Sequence, residues 1–182
     1  MATIGIDFGA SRLRVAVVRN GAVALLQHRY FSDRMPFAPE FSWPPERDAQ
    51  WCCRITSLKR LLDFDSAFPI SPQPVQSLDL LAEMLGVVRA EWESGGPEHE
   101  VHCVLAVPPC FSQRQRATLR AAGFNAGFPR VRLLDDTLAA LLASRESLRG
   151  YETVLVYSWG ASAFSAALYQ SRGSGFRPIA QD

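Results

Sequence analysis

The sequence has almost no charge imbalance and no long apolar run, and each absence excludes a class of function. Nineteen Lys and Arg face eighteen Asp and Glu, for a net charge of +1, so no strong field exists to recruit nucleic acid or an anionic membrane. Its apolar runs fall short of the roughly 20 residues that cross a bilayer. No basic, apolar leader precedes the first strand-like segment, which predicts a cytoplasmic protein.

Metal-binding patterns of cysteine and histidine are also lacking. The four cysteines, at positions 52, 53, 103 and 110, do not have the spacing of a zinc site. We therefore expect buried or half-buried thiols in a reducing compartment.

The residues that are present predict a mixed α/β domain. Of 182 residues, 48% are hydrophobic, which is enough for a self-standing core. Apolar periodicity predicts strands at 3–7, 13–18, 22–26, 101–107, 131–134, 154–157, 163–169 and 176–179, and helices at 77–92 and 137–144. Asn20-Gly21 predicts a hairpin turn before the third strand. Ser112 and Gln115 have the spacing of a capping box, which predicts a helix at 112–126 with a basic solvent face that carries Arg116. We expect the strands of 1–27 and 101–182 to share one sheet.

Two strand–turn–strand segments carry the clearest chemical pattern. In the first, Asp7 ends a buried strand and Gly9 follows, which would place a carboxylate beside free backbone N–H groups. Such a loop can cradle phosphate and hold hydrated Mg²⁺. The second segment runs through Ser158 and Gly160, and two such hairpins facing each other would form a phosphate clamp. Taken alone, each is equally an ordinary turn.

Together these segments resemble the nucleotide-binding domain of the DnaK-type seventy-kilodalton heat-shock chaperones, in the actin-like ATPase superfamily. The similar blocks are Ile4 to Val17, Ser57 to Leu62, Val104 to Gly127, Arg132 to Ala140 and Thr153 to Leu168. The resemblance implies an RNase H-like fold, with a mixed sheet and flanking helices. It further implies a lobe I core at 1–30 and 101–182, a smaller subdomain inserted at 31–100, and no lobe II in this chain.

The resemblance also implies a site for ATP or ADP with Mg²⁺. Catalytic roles would fall to Lys59 and Asp136, and the metal role to Asp7. The nucleotide contacts would come from Asp7, Gly9, Ala10, Ser11, Arg12, Ser158, Gly160, Ala161 and Ser162. The alternatives are a solvated helix face for Lys59 and a helix N-cap pair for Asp135 and Asp136.

Several positions depart from the family pattern. Ser158 stands where the family has a second aspartate, and Asp136 where it has a glutamate. Ala161 and Ser162 replace glycines, and their Cβ atoms would hinder the approach of a phosphate to the backbone. Losing one organising group commonly costs roughly 10²–10³ in rate. We therefore predict a degenerate site with weak or no nucleotide binding.

Three functions compete on these grounds. The leading hypothesis is a divergent chaperone-like lobe that acts through a protein partner, the missing lobe II, or a dimer formed by an exposed lobe face. The second is an active ATPase that a lobe II in a longer parent chain would complete. The third is an actin-like scaffold domain of an assembly machine.

Overall fold

The structure is a computed structural model that describes residues 2–9, 13–19, 21–26, 62, 76–94, 101–160, 164–173 and 175–181. All statements below concern these residues. The predicted site residues Ala10, Ser11, Arg12, Lys59 and Ala161 lie outside them, and so does Ser162.

The larger of two sheets has five strands in the order β3-β2-β1-β4-β5. Its strands are β1 (Ala2–Phe8), β2 (Leu13–Arg19), β3 (Ala22–Leu26), β4 (Val101–Val107) and β5 (Arg130–Asp135). The first three form an antiparallel meander, while β4 is parallel to both β1 and β5. The sheet is therefore mixed, as predicted, and Val101–Val107 lies beside β1.

The predicted Asn-Gly hairpin is confirmed by the pairing of β2 with β3. Gly21 takes a φ of 76°, a left-handed conformation that costs glycine little and other residues more.

Two helices cover one face of this sheet, α1 (Ser77–Ser94) and α2 (Gln113–Asn125). Leu81 and Leu85 of α1 and Leu119 of α2 are fully buried in the same core as Ile4 and Leu105. The buried apolar residues of both helices thus face the sheet. Burial of this face holds the helices against the strands.

The start of α2 has the predicted capping box. Ser112 Oγ accepts a hydrogen bond from the Gln115 backbone N–H at 3.2 Å, and the Ser112 N–H donates to Gln115 Oε1 at 2.7 Å. Two backbone donors that the helix leaves open are thereby satisfied.

A separate three-stranded sheet follows α3 (Asp136–Ala143) and corrects the expectation of a single sheet. Its strands β6 (Thr153–Trp159), β7 (Phe164–Arg172) and β8 (Gly175–Gln181) are antiparallel in chain order. The cause is α3, which begins directly after β5 and contacts both β4 and β5 on one side and β6 and β7 on the other. The chain therefore leaves the first sheet before β6 begins.

The division into a core and an inserted subdomain stays a prediction. Helix α1 falls in the range 31–100 yet packs against α2 in the core of the first sheet.

None of the helices that the structure describes combines the length and the apolar composition of a membrane span.

Candidate functional site

The candidate site lies at one edge of the first sheet, where its parallel strands end. Asp7 pairs in register with Ala106 of β4, and Val107 of β4 pairs with Asp135 of β5. Because the carboxyl ends of parallel strands meet at the same edge, Asp7, Asp135 and Asp136 are brought to one side of the sheet.

Asp7 forms an ion pair across the hairpin with Arg14. The two residues lie directly opposite each other on β1 and β2, and Arg14 Nη1 donates to Asp7 Oδ2 at 3.0 Å. Their side chains are 46% and 44% exposed, respectively, so water screens the attraction. Sequence reasoning missed this pair, because the predicted strands 3–7 and 13–18 did not give the register that places Asp7 opposite Arg14.

Asp135 is held by a second arginine, Arg116 of α2, through a 2.7 Å bond from Nη2 to Oδ1. The same guanidinium donates to the carbonyls of Phe111 at 3.1 Å, Pro108 at 3.3 Å and Pro109 at 3.1 Å. Arg116 therefore fixes the turn after β4 against the end of β5.

Asp136 is the first residue of α3 and is half-buried, with its Oδ1 shielded from solvent. Beside it, Thr137 Oγ1 and Tyr169 Oη share a buried hydrogen bond of 2.9 Å. This bond ties α3 to β7 and so joins the helix that leaves the first sheet to the second sheet.

Ser158 and Gly160 belong to the second sheet, Ser158 within β6 and Gly160 directly after it. Ser158 is exposed and pairs with Ser165 of β7. The neighbouring Trp159 is 86% exposed, and its ring meets Phe164 edge to face at 6.5 Å between centroids. The described part of this hairpin is thus aromatic where β6 ends and β7 begins.

An apolar cavity of about 230 Å³ opens beside Asp7 and Arg14. Small residues from both sides line it: Gly5, Ala16, Val104, Ala106 and Ala139. Ala139 belongs to α3, so the cavity lies between that helix and the first sheet. Apart from Asp7, the side chains that line it carry no ligand oxygen.

Of the two cysteines in the described segments, Cys103 is buried as predicted, whereas the exposure of Cys110 corrects the prediction. Cys103 is fully buried in β4, and burial raises the pKa of its thiol from 9.0 to about 12. Cys110 is exposed. No group of three or more His, Cys, Asp and Glu side chains gathers into a metal site within the described ranges.

These residues do not fit a hydrated Mg²⁺ held by facing carboxylates. Asp7 already has a guanidinium 3.0 Å from its Oδ2, and Ser158 supplies no charge. Mg²⁺ requires oxygen ligands in octahedral geometry and is bound in most sites by one or two carboxylates with water. At Asp7, that ion would meet a carboxylate that Arg14 already neutralises.

The five-stranded mixed sheet with its flanking helices defines an α/β domain of the actin-like ATPase type. The model of the family described as Hsp70 protein matches residues 68–176, more than half of the chain. The chain belongs to the Hsp70 family, and it carries part of an Hsp70-type nucleotide-binding domain. Nucleotide and Mg²⁺ binding are general properties of that family.

Proposed function

We propose that this chain is a chaperone-type nucleotide-binding domain with a degenerate phosphate site, working in the cytoplasm mainly through protein contact. Three sequence departures support the degenerate site: Ser158 in place of an aspartate, and Ala161 and Ser162 in place of glycines. The Asp7–Arg14 ion pair supports it independently.

One observation carries the role in protein contact, the exposed apolar face of the second sheet. Leu155, Tyr157 and Trp159 alternate along β6 and are 63%, 68% and 86% exposed. Phe164 lies opposite Trp159 and is 60% exposed. Contiguous apolar surface of this kind marks interaction sites in proteins that are otherwise stable in water.

The opposite face of the same sheet is covered. Ala167 and Tyr169 of β7 are buried against Leu141 of α3. Side chains alternate between the faces of a strand, so β6 and β7 point one apolar set at α3 and a second set at solvent. We propose that the second set binds a protein surface, either a further lobe or another copy of this chain.

A calorimetric titration with Mg-ATP tests the degenerate site. We expect no tight binding to the 182-residue chain. Ala161 and Ser162 replace glycines in the second predicted phosphate loop, and Arg14 neutralises Asp7. A low-micromolar dissociation constant would contradict the proposal.

Sedimentation velocity over a range of concentrations tests the contact face. We expect self-association that Tyr157→Ser weakens and Tyr151→Ser leaves unchanged, since Tyr151 is similarly exposed, at 62%, but precedes β6. Equal behaviour of the two variants, or a wild-type monomer at every concentration, would count against another copy of this chain as the partner of this face.

Family membership favours a second function, an active ATPase completed by a second lobe. Asp7 is retained at the end of β1, as that function requires. Titration of a longer chain that includes the second lobe separates the two, because an active site predicts binding there that depends on both nucleotide and Mg²⁺.

A further inference from the structure

Asp7, which the family resemblance makes the metal-binding residue, has a cation of the protein's own beside it. Arg14 lies opposite Asp7 in the β1–β2 register and donates from Nη1 to Oδ2 at 3.0 Å. The pair is formed within one hairpin, between adjacent strands that the sheet holds in a fixed register. The register therefore keeps the two backbone positions opposite each other, within reach of this ion pair.

We propose that Arg14 takes the place of Mg²⁺ as the counter-ion of Asp7, so that this edge of the sheet is a metal-independent site. The inference deepens the proposed function and rests on its assignment of Asp7 to the phosphate site. The proposal adds a cause of the degenerate site that lies outside the phosphate loops, because Arg14 belongs to strand β2.

The second strand-end carboxylate of this edge is also neutralised. Asp135 Oδ1 accepts from Arg116 Nη2 at 2.7 Å, and both side chains are about three-quarters buried. Arg116 is further fixed by three backbone carbonyls of the turn after β4. Asp135 is thus committed to a structural ion pair and is not available to share a metal with Asp7.

The cavity beside the pair adds no ligand oxygen from its side chains. Apart from Asp7 and Arg14, its lining consists of glycine and apolar residues, with Ala106 and Ala139 among them. A divalent cation at Asp7 would therefore complete its shell with water and backbone groups while facing a guanidinium.

The repulsion sets the size of the expected effect. A divalent cation and a guanidinium about 5 Å apart in water repel enough to change affinity by roughly tenfold. Because the Asp7–Arg14 pair is half-exposed, the attraction between its two side chains adds little to the exclusion of a divalent cation. Removing the charge of Arg14 should raise divalent affinity at Asp7 by about that factor, roughly tenfold.

The experiment uses MnCl₂ as a paramagnetic probe, since Mn²⁺ accepts the same oxygen ligands as Mg²⁺. Amide line broadening is measured by NMR on the ¹⁵N-labelled 182-residue chain, without nucleotide, for the wild type, Arg14→Gln and Arg14→Lys. The Lys variant keeps the positive charge and is the matched control. Asp7→Asn in the Arg14→Gln background removes the carboxylate, and unchanged resonances in α2 verify the fold of each variant.

The proposal predicts selective broadening near Ile6 and Asp7 in Arg14→Gln, at a roughly tenfold lower Mn²⁺ concentration than in the wild type or in Arg14→Lys. The added Asp7→Asn change should abolish it. Equal broadening in wild type and Arg14→Gln would overturn the proposal, and so would broadening that survives Asp7→Asn. Because no nucleotide is present, either result is independent of whether the chain binds ATP.

Discussion

Both sheets contain three consecutive antiparallel strands, but only the first set is extended by parallel strands and packed under two long helices. In the described residues the first sheet shares a cluster of twenty-one buried residues, and the second a cluster of three. Apolar residues make up 14 of 19 positions in β1–β3 and 13 of 23 in β6–β8, so both sets of strands have apolar side chains to bury. The difference shows that an antiparallel meander buries its apolar residues only where another element covers them.

The largest test of this contrast is one leucine truncated in each sheet. Leu105 in β4 is fully buried and Leu155 in β6 is 63% exposed. We expect Leu105→Ala to lower the free energy of unfolding by about 3 kcal/mol, because it leaves a cavity. Leu155→Ala should change it by less than about 0.5 kcal/mol. Urea denaturation measures both, and equal losses would remove the distinction between the sheets.

A second test concerns the close packing of helices on the first sheet. A Cβ on Gly123 of α2 would lie 2.9 Å from Val131 Cγ2, whereas a Cβ on Gly86 of α1 would meet no atom within 4 Å. We expect Gly123→Ala to cost about 2 kcal/mol through overpacking. Gly86→Ala should stabilise by up to about 1 kcal/mol through helix propensity. Thermal unfolding of both variants checks the opposite signs, and stabilisation by Gly123→Ala would contradict the packing.

The third test concerns the bond that attaches the second sheet to α3. Tyr169→Phe leaves the buried Thr137 hydroxyl without its 2.9 Å partner, and we expect a loss of about 1.5 kcal/mol. Thr137→Val together with Tyr169→Phe should recover part of that loss, since neither polar group then remains buried. Additive losses in the double mutant would show that the two hydroxyls do not interact.

The smallest effect is the pH dependence of the thiol in the first core. Above its ordinary pKa of 9.0 the unfolded Cys103 loses its proton, while the folded thiol keeps it until about 12. The free energy of unfolding should therefore fall as pH rises through this window, by about 1 kcal/mol at pH 10. Cys103→Ala should remove this slope, measured as the difference between the two pH profiles.

In the native state iodoacetamide should label the exposed Cys110 and spare Cys103.

Local patterns predicted the elements of the fold well. The capping box at Ser112 and the Asn-Gly turn before β3 depend on neighbouring residues, so the sequence alone specifies them. Parallel pairing of β1 with β4 joins strands that lie far apart in the chain. The prediction of a shared sheet rested on the alternating pattern and the proline-rich boundaries, which do not specify the partner of each strand. The separation of β6–β8 was missed because strand periodicity does not reveal which sheet a strand joins.

The candidate site was less predictable than the fold. Asp7 was identified from its position at the end of a strand, but its partner Arg14 depends on exact register. Arg116 was predicted to lie on a solvated basic face of α2, yet it is partly buried against Asp135. That prediction was wrong because helix periodicity does not show where a neighbouring strand ends.

The Arg116 contacts also bear on the order in which the chain assembles. They link the end of β4, the start of α2 and the end of β5, a βαβ segment of short sequence separation. Closing such a segment costs less chain entropy than pairing β1 with β4, which must wait for a loop of more than seventy residues. We therefore expect residues 101–135 to fold early and the meander of β1–β3 to dock on them later.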